Sequence, residues 1–245
     1  MARVFDDNTA NRLGGARGAI TEPFTVCLWF KVPNTNVAKT LIGFSDPGNS
    51  GYWRLSCHSD AKVRGQKQNN GGTQNTTVAS TTSYGTTAWH HIAVGFTSNT
   101  SRAILLDGGG GHSTTTTVTD PTVSAVTVGL LRATTAPGVQ PMNGSIAYPR
   151  VWEGVTLTSP EIVELASGLH PDLMYPELQV EAWEMNGVGS EQSLVGGTTI
   201  TEAGTVALGE EIPLAMGWPQ NISHVPAAAT VIPVLHGYYQ AMRAA

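Results

Sequence analysis

The chain has 245 residues, of which 40% are hydrophobic and 13% charged, and its formal net charge is −5. This length suits one large β-sandwich or barrel with a sizeable core. The cations at 54–67 alternate with Ser, Gln and Asn rather than with stacking aromatic residues, which excludes nucleic acid as a partner. No segment has the apolar length of a membrane span or a signal peptide, so we expect no membrane partner and no export by the usual route.

Short runs in which apolar and polar residues alternate, separated by Gly, Pro, Asn and Thr, predict an antiparallel sheet protein. The run FTVCLWFKV predicts a central strand that is buried on nearly both faces. Further strands are predicted at 52–59, 90–96, 102–108, 123–131 and 143–152, with a hairpin or surface loop at 65–87. The residues expected to face the core between two sheets are Phe24, Val26, Leu28, Phe30, Ile92, Val94, Phe96 and Ile146.

The stretch AWHHIAVGF continues through a strand to LLDGGGG. On a strand, His90 and His91 point to opposite faces, so they cannot bind one metal ion together, and we predict structural roles for both. The glycines follow a strand without opening a helix, which excludes a phosphate-binding loop. Asp107 and Gly108 instead have the composition of a tight hairpin turn.

One short helix is predicted near 159–167, in TSPEIVELASG. Ser159 can cap it, Pro160 suits its first position and Gly168 offers a left-handed stop. Alternating runs at 176–186 and 198–208 predict that the sheet then resumes.

The end of the chain, residues 217–245, is an apolar segment that we expect to dock on a neighbouring subunit or to mediate oligomerisation, because such a cluster is rarely left in water. The alternative is that it folds back over its own sandwich. Its candidate interface residues are Val231, Ile232, Val234, Leu235, Tyr238, Tyr239 and Met242.

Together, the Trp-His-His strand and the strand ending in LLDG resemble the core of the laminin-G-like, concanavalin A-like jelly-roll family. EPFTVCLWFKV resembles an early strand of that family, and MNGSIAYPRVWEGVTLTSPEIVELASG resembles its closing strand and short helix. The resemblance covers about residues 3–170 and implies an all-β, two-sheet antiparallel sandwich, which we extend to residues 1–216. The regions LMYPELQVEAWEMNG and SLVGGTTITEAGTVALG resemble tails on this module in tailed-bacteriophage virion proteins.

Catalytic signals are weak. A GxSxG elbow is absent, and Cys27 and Cys57 read as small buried thiols. Glycosidases on this sandwich carry paired carboxylates, but the odd spacing of Glu181 and Glu184 sends them to opposite faces. We therefore predict no enzymatic activity.

Some laminin-G-like modules bind calcium through carboxylates on rim loops, which implies Asp46 and Asp107 as first candidates for metal ligands. The alternative is that these are solvated turn residues. No other cofactor is expected. Five of the six tryptophans are expected in the core rather than on a sugar-stacking surface.

Two functions remain open. The first is a non-enzymatic structural virion protein, made in the host cytoplasm, that decorates a capsid or builds a tail or fibre together with copies of itself and other virion proteins. The second is a glycan-binding module for a receptor or surface carbohydrate, with calcium dependence as an open alternative. Assembly needs a surface that buries a subunit, whereas glycan binding needs an exposed polar cluster in a groove.

Overall fold

The computed structural model describes residues 2–7, 11–131, 140–186, 189–210 and 212. These residues form two antiparallel sheets packed as a sandwich, with a single α-helix among them. The compact unit that contains the sandwich spans Met1–Pro213, and the predicted interface residues of the C-terminal segment lie outside the described residues. No helix in the described part of the chain is long and apolar enough to cross a membrane.

The first eight strands are β1 (Arg3–Asp6), β2 (Arg12–Ala16), β3 (Phe24–Lys31), β4 (Lys39–Ser45), β5 (Tyr52–Cys57), β6 (Val63–Gln68), β7 (Asn75–Ala79) and β8 (His90–Ser98). The next four are β9 (Ser101–Leu106), β10 (Gly109–Thr114), β11 (Ala125–Val128) and β12 (Asn143–Glu153). Then follow α1 (Ser159–Ala166), short 3-10 helices at Pro171–Leu173 and Pro176–Leu178, β13 (Gln179–Ala182), β14 (Ser190–Gln192), β15 (Thr199–Ala203) and β16 (Ala207–Leu208).

Sheet A has the order β10-β9-β8-β3-β12-β1-β16, and β13 also pairs with β12. Sheet B has the order β14-β15-β2-β11-β4-β5-β6-β7. β3 lies between β8 and β12, which confirms its predicted central place. All eight predicted core residues are 0% exposed, so the predicted strand register is confirmed.

The two sheets meet in a dense aromatic and aliphatic core. Phe24 of sheet A stacks on Phe96 with ring centroids 4.8 Å apart and meets Trp53 of sheet B edge-on at 5.3 Å. A Cβ placed on Gly65 of sheet B would lie only 2.7 Å from Cγ1 of Val94 in sheet A. The sheets are therefore packed too closely at this point for any side chain on residue 65.

The tryptophan prediction holds only in part. Trp53, Trp152 and Trp183 are fully buried, whereas Trp29 and Trp89 are half-buried at the surface, and the sixth tryptophan lies outside the described residues. The two cysteines are buried and free, as predicted. Burial raises the pKa of the Cys27 thiol to about 12 and that of Cys57 to about 11.

The N-cap of helix α1 lies one residue earlier than the sequence predicted. Thr158, not Ser159, is the N-cap residue, and the Glu161 carboxylate accepts both its backbone N–H at 2.7 Å and its hydroxyl at 2.9 Å. Threonine followed three residues later by glutamate is a capping box, which fixes the start of the helix. Gly168 follows with φ +102°, the left-handed stop that its position predicted.

The strands that follow α1 complete both sheets. β13 pairs with β12, β15 with β2, and β16 with β1. The fully buried Arg3 of β1 reinforces this closure, because its Nε lies 3.1 Å from Oε1 of Glu191 and its Nη1 lies 3.6 Å from Oε2 of Glu202.

Candidate functional site

An open cleft of about 440 Å³ lies at the end of the sandwich where β8 ends and β3 begins. The loop before β3, the β8–β9 turn and the loop that precedes β11 surround it. We call it the Asp120 cleft. Its six lining residues all have polar side chains, and they are Glu22, Thr97, Ser98, Asn99, Thr119 and Asp120.

A buried lysine lies beneath the Asp120 cleft. Lys67 lies on the same strand face as Val63 and Gly65, and its side chain is 0% exposed. Its Nζ lies 3.0 Å from Oε1 of Glu22 and 2.5 Å from Oδ1 of Asp120. The ammonium group thus occupies the position between two carboxylates where a free cation would otherwise bind.

Of the two carboxylates around Lys67, that of Glu22 is shielded from water, whereas the Asp120 side chain is 49% exposed. Burial, together with the nearby Asp120 charge, raises the pKa of Glu22, although its hydrogen bond and charge interaction with Lys67 lower it. The fully buried Arg102 donates to the backbone oxygens of Thr116 at 2.9 Å and Asn99 at 3.0 Å, which ties the two walls of the cleft together.

Side-chain amides hold the outer wall of the cleft in place. Asn70 donates to the Thr122 hydroxyl at 2.7 Å and accepts the backbone N–H of the same residue at 2.8 Å. Gln74 accepts both the backbone N–H and the hydroxyl of Thr119 at 3.1 Å. The cleft is therefore pre-formed, because its wall is fixed by bonds that do not depend on a ligand.

The two predicted metal ligands lie at opposite ends of the sandwich. Asp46 follows β4 at the end that carries the Asp120 cleft, and its carboxylate accepts from Gly48 N–H at 2.9 Å, Asn49 at 2.7 Å and Ser124 at 3.3 Å. These bonds, that of Gly48 first, lower the pKa of Asp46.

Asp107 lies at the far end, in the turn after β9, where its φ of 53° and the φ of 71° at Gly108 form the predicted tight turn. The structure does not bring Asp46 and Asp107 together. They therefore cannot bind one calcium ion jointly, because calcium needs its oxygen ligands in one cluster. A calcium ion at either of them separately stays a prediction.

The two histidines point to opposite faces, as predicted. His90 donates from Nδ1 to Asp107 Oδ2 at 2.7 Å and accepts the Gly85 N–H at Nε2 at 3.1 Å. His91 packs against Trp29 on the other face with ring centroids 5.2 Å apart, and burial lowers its pKa to about 4. An Asp-His pair can orient a catalytic base, but here Nε2 faces a backbone amide, where a catalytic triad would place its nucleophile.

A cluster that the sequence analysis missed surrounds Arg150. Its Nε lies 2.8 Å from Oδ1 of Asp172, and a second nitrogen contacts Glu184. With His170, these two acids form the one group of potential metal ligands in the described residues. The guanidinium already supplies the positive charge there, so the cluster is an ion-pair network that anchors the segment after α1.

Glu181 and Glu184, the two weighed as a hydrolytic pair, have separate partners. Glu184 contacts Arg150, whereas the buried Glu181 accepts a hydrogen bond from Thr198 and lies 3.5 Å from Nε of Arg17. Of the two, Glu181 but not Glu184 lines a pocket beside Arg17.

The sequence analysis did not identify the Asp120 cleft. Lys67 falls in a polar run, 65–87, that was predicted as a hairpin or loop, and the structure forms the hairpin from β6 and β7. A lysine that alternates with Val63 and Gly65 on an inward face was the available signal, since a buried lysine needs an acidic partner.

Residues 6–163 match the family model described as the concanavalin A-like lectin/glucanases superfamily, Laminin_G_3. The chain belongs to this family. All the residues that line the Asp120 cleft lie within the matched part of this concanavalin A-like chain, whereas β13 to β16 lie beyond it. A comparison with curated protein sequences found no match.

Several solved structures share the fold. A heptameric SAP-like pentraxin from Limulus polyphemus is 14% identical, with a TM-score of 0.56 over 84% of this chain and 93% of that one. A putative carbohydrate-binding protein from Bacteroides ovatus is 15% identical, with a TM-score of 0.58 over 84% of this chain and 60% of that one.

The CBM40 module of the Ruminococcus gnavus IT-sialidase, bound to α2,3-sialyllactose, is 13% identical, with a TM-score of 0.55 over 68% of this chain and 98% of that one. At these identities the similarity establishes the concanavalin A-like fold and does not transfer a binding site.

Proposed function

We propose that this protein is a non-enzymatic glycan-binding module and that the Asp120 cleft holds a sugar ring. The observation that carries the proposal is a pre-formed cleft that is lined by six polar residues and lies above a buried lysine paired with two of their carboxylates. Sugar hydroxyls donate and accept hydrogen bonds at once, and carboxylate, amide and hydroxyl groups placed around one opening satisfy both roles. Solved proteins of the same fold include carbohydrate-binding modules, which supports this choice.

The same geometry leads us to propose that sugar binding in the cleft needs no calcium. A divalent cation would have to bind Glu22 and Asp120, and both carboxylates already contact the Lys67 ammonium. The lysine holds the two acids in place, which is the structural task that a bound ion performs at an oxygen-rich rim.

A glycan array followed by calorimetry tests the proposal. We expect at least one glycan to bind in the presence of a chelator, and Asn99→Ala and Asp120→Asn to weaken it about tenfold, or about 1.4 kcal/mol. Asp60→Asn is the matched control, because Asp60 is a surface carboxylate paired with Arg64 outside the cleft. Thermal melting verifies that each variant is folded.

Three outcomes contradict the proposal. One is an array with no binding above background, and another is equal affinity for wild type, Asn99→Ala and Asp120→Asn. The third is release of free sugar during the incubation, which would make the protein a hydrolase instead.

A structural role in a virion is a second proposal, supported by the sequence of the C-terminal segment. Its seven apolar candidates fall within twelve positions, and the likeness of the regions at 173–187 and 193–209 to tails of phage virion proteins points the same way. Truncation after Gly217 tests this role: we expect a near-normal melting temperature together with loss of oligomers in analytical ultracentrifugation. A monomeric full-length protein whose truncated form aggregates would show that the segment belongs to its own sandwich.

A further inference from the structure

A second opening lies at the same end of the sandwich as the Asp120 cleft. It is a pocket of about 410 Å³, here called the Arg17 pocket, and it lies mainly against residues after α1. The side chains that matter for its chemistry are those of Arg17, Gln179, Glu181, Val195 and Thr198.

The Arg17 pocket contains a buried ion pair that is incompletely satisfied. The side chains of Arg17 and Glu181 are only 7% and 4% exposed, with Arg17 Nε 3.5 Å from Glu181 Oε1. Neither Arg17 Nε nor the second carboxylate oxygen of Glu181 has a hydrogen-bond partner. Buried polar atoms without partners are costly, and a neighbouring donor and acceptor fit a ligand hydroxyl, which accepts from one and donates to the other.

The wall of the Arg17 pocket is the turn between β14 and β15. A Cβ on Gly196 of this turn would lie 1.7 Å from the Val180 oxygen and 2.7 Å from Glu181 Oε2, so only glycine lets the turn approach the carboxylate this closely. Glu181 Oε2 therefore lies directly behind this turn. Beside it, Val195 is 49% exposed and offers an apolar surface for the ring face of a sugar.

One loop separates the two openings. Arg17 lines the pocket and Glu22 lines the cleft, and the five residue steps between them span at most about 18 Å. Gly18, Ala19 and Thr21, on the loop between them, are exposed. A chain of sugar rings can therefore cross this loop from one opening to the other.

The charges of the two openings favour an uncharged ligand. The charge of each cationic side chain is already balanced by a carboxylate or by backbone oxygens, so an anionic sugar would meet an excess of acids. The carboxylates are Glu22, Asp120, Glu153 and Glu181, and the cations are Lys67, Arg102 and Arg17.

We infer that the ligand is a neutral oligosaccharide that extends from the Asp120 cleft across residues 17–22 into the Arg17 pocket. The inference rests on the proposed function and adds to it a second subsite and a ligand class. The second subsite is built largely from β13 and the β14–β15 turn, which lie beyond the residues that match the family model.

Calorimetry with glycans of increasing length tests the inference. The probes are galactose-, glucose- and mannose-based series from monosaccharide to tetrasaccharide, and the α2,3-sialylated form of the galactose-based tetrasaccharide. In the series that binds, we expect the tetrasaccharide to bind about tenfold more tightly than the monosaccharide. We expect the sialylated tetrasaccharide to bind more weakly than its neutral parent.

Val195→Asn isolates the second subsite, because this exposed residue can be changed without disturbing the core. It should weaken tetrasaccharide binding about fivefold and leave monosaccharide binding unchanged. Val37→Asn is the matched control, since Val37 is also 49% exposed but lines neither opening, and it should change neither affinity.

The possible outcomes distinguish failure of the inferred second subsite from failure of the proposed glycan-binding function. Equal affinity at every length, no effect of Val195→Asn, or tighter binding of the sialylated glycan would overturn the inference and leave the Asp120 cleft as a single-sugar site. Absence of binding at every length would overturn the proposed function and the inference with it.

Discussion

The carboxylate of Asp107 accepts a hydrogen bond from His90 Nδ1 at 2.7 Å and a second from the backbone N–H of His91 at 2.8 Å. It therefore joins the turn after β9 to the first residues of β8. Because this turn lies at the opposite end from the Asp120 cleft, the pair is a stabilising contact that is separate from the proposed binding site.

We expect Asp107→Ala to lower the free energy of unfolding by about 1–2 kcal/mol, since it removes two hydrogen bonds from a tight turn. Urea denaturation measures the change, and glycan affinity should stay at the wild-type value. Loss of glycan binding in a folded Asp107→Ala variant would move the binding site to the far end of the sandwich.

Lys67→Met should destabilise the protein by about 3 kcal/mol, because it leaves Glu22 and Asp120 facing each other without a cation. Lys31→Met is the control: its ion pair with Glu210 is partly exposed, and its loss should cost less than about 1 kcal/mol. Added calcium should raise the melting temperature of Lys67→Met more than that of the wild type, since an ion can replace the ammonium. Equal losses in the two variants would show that Lys67 does not hold the cleft.

Gly65→Ala should cost about 1–3 kcal/mol, because its new Cβ would meet Val94 in the facing sheet at 2.7 Å. Val94→Ala in the same chain makes room, so the double variant should be less destabilised than the sum of the two single changes. Gly18→Ala, where a Cβ meets nothing within 4 Å, serves as the neutral control. Strict additivity in a double-mutant cycle would contradict the close sheet-to-sheet contact.

His91 should make the protein less stable in acid. Burial lowers its pKa in the folded state to about 4, below the usual 6.5, so the unfolded chain takes up a proton first as the pH falls. Stability is complete above pH 6.5 and falls between 6.5 and about 4, by on the order of 3 kcal/mol for this one group.

His91→Gln should remove much of that pH dependence, measured as urea unfolding at several pH values. His58, whose pKa is also lowered to about 4 by its partial burial, retains a contribution in the same direction. His112→Gln is the control, because His112 is exposed on β10 and its replacement should leave the pH profile unchanged. A profile as steep in His91→Gln as in the wild type would show that this ring is protonated in the fold.

The sequence predicted the parts of the fold that depend on local alternation. β3 was predicted from one run of nine residues, because a strand with a filled core face shows apolar residues at every second position. β4 was missed: all seven of its residues are buried, so Lys39 to Ser45 show no alternation between an apolar and a polar face.

The binding site could not be predicted in the same way. Lys67 is 45 positions from Glu22 and 53 from Asp120, and only the pairing of β6 within sheet B brings the three together. Asp46 and Asp107 were chosen because both lie in loops, but loop position does not reveal which end of a sandwich a residue occupies. That depends on the strand order, which sequence periodicity does not contain.

The buried contact between Arg3 and Glu191 joins residues that are 188 positions apart, and it has a consequence for how the chain is made. Among the strands of this sandwich, β1 and β2 leave the ribosome first, yet their outer neighbours, β16 and β15, leave it last. Pairing over such separations is slow, because loop-closure entropy is lost before the contacts form. The sandwich therefore closes only after translation has passed residue 208, and a ribosome that stalls earlier holds a nascent chain with open edges on both sheets.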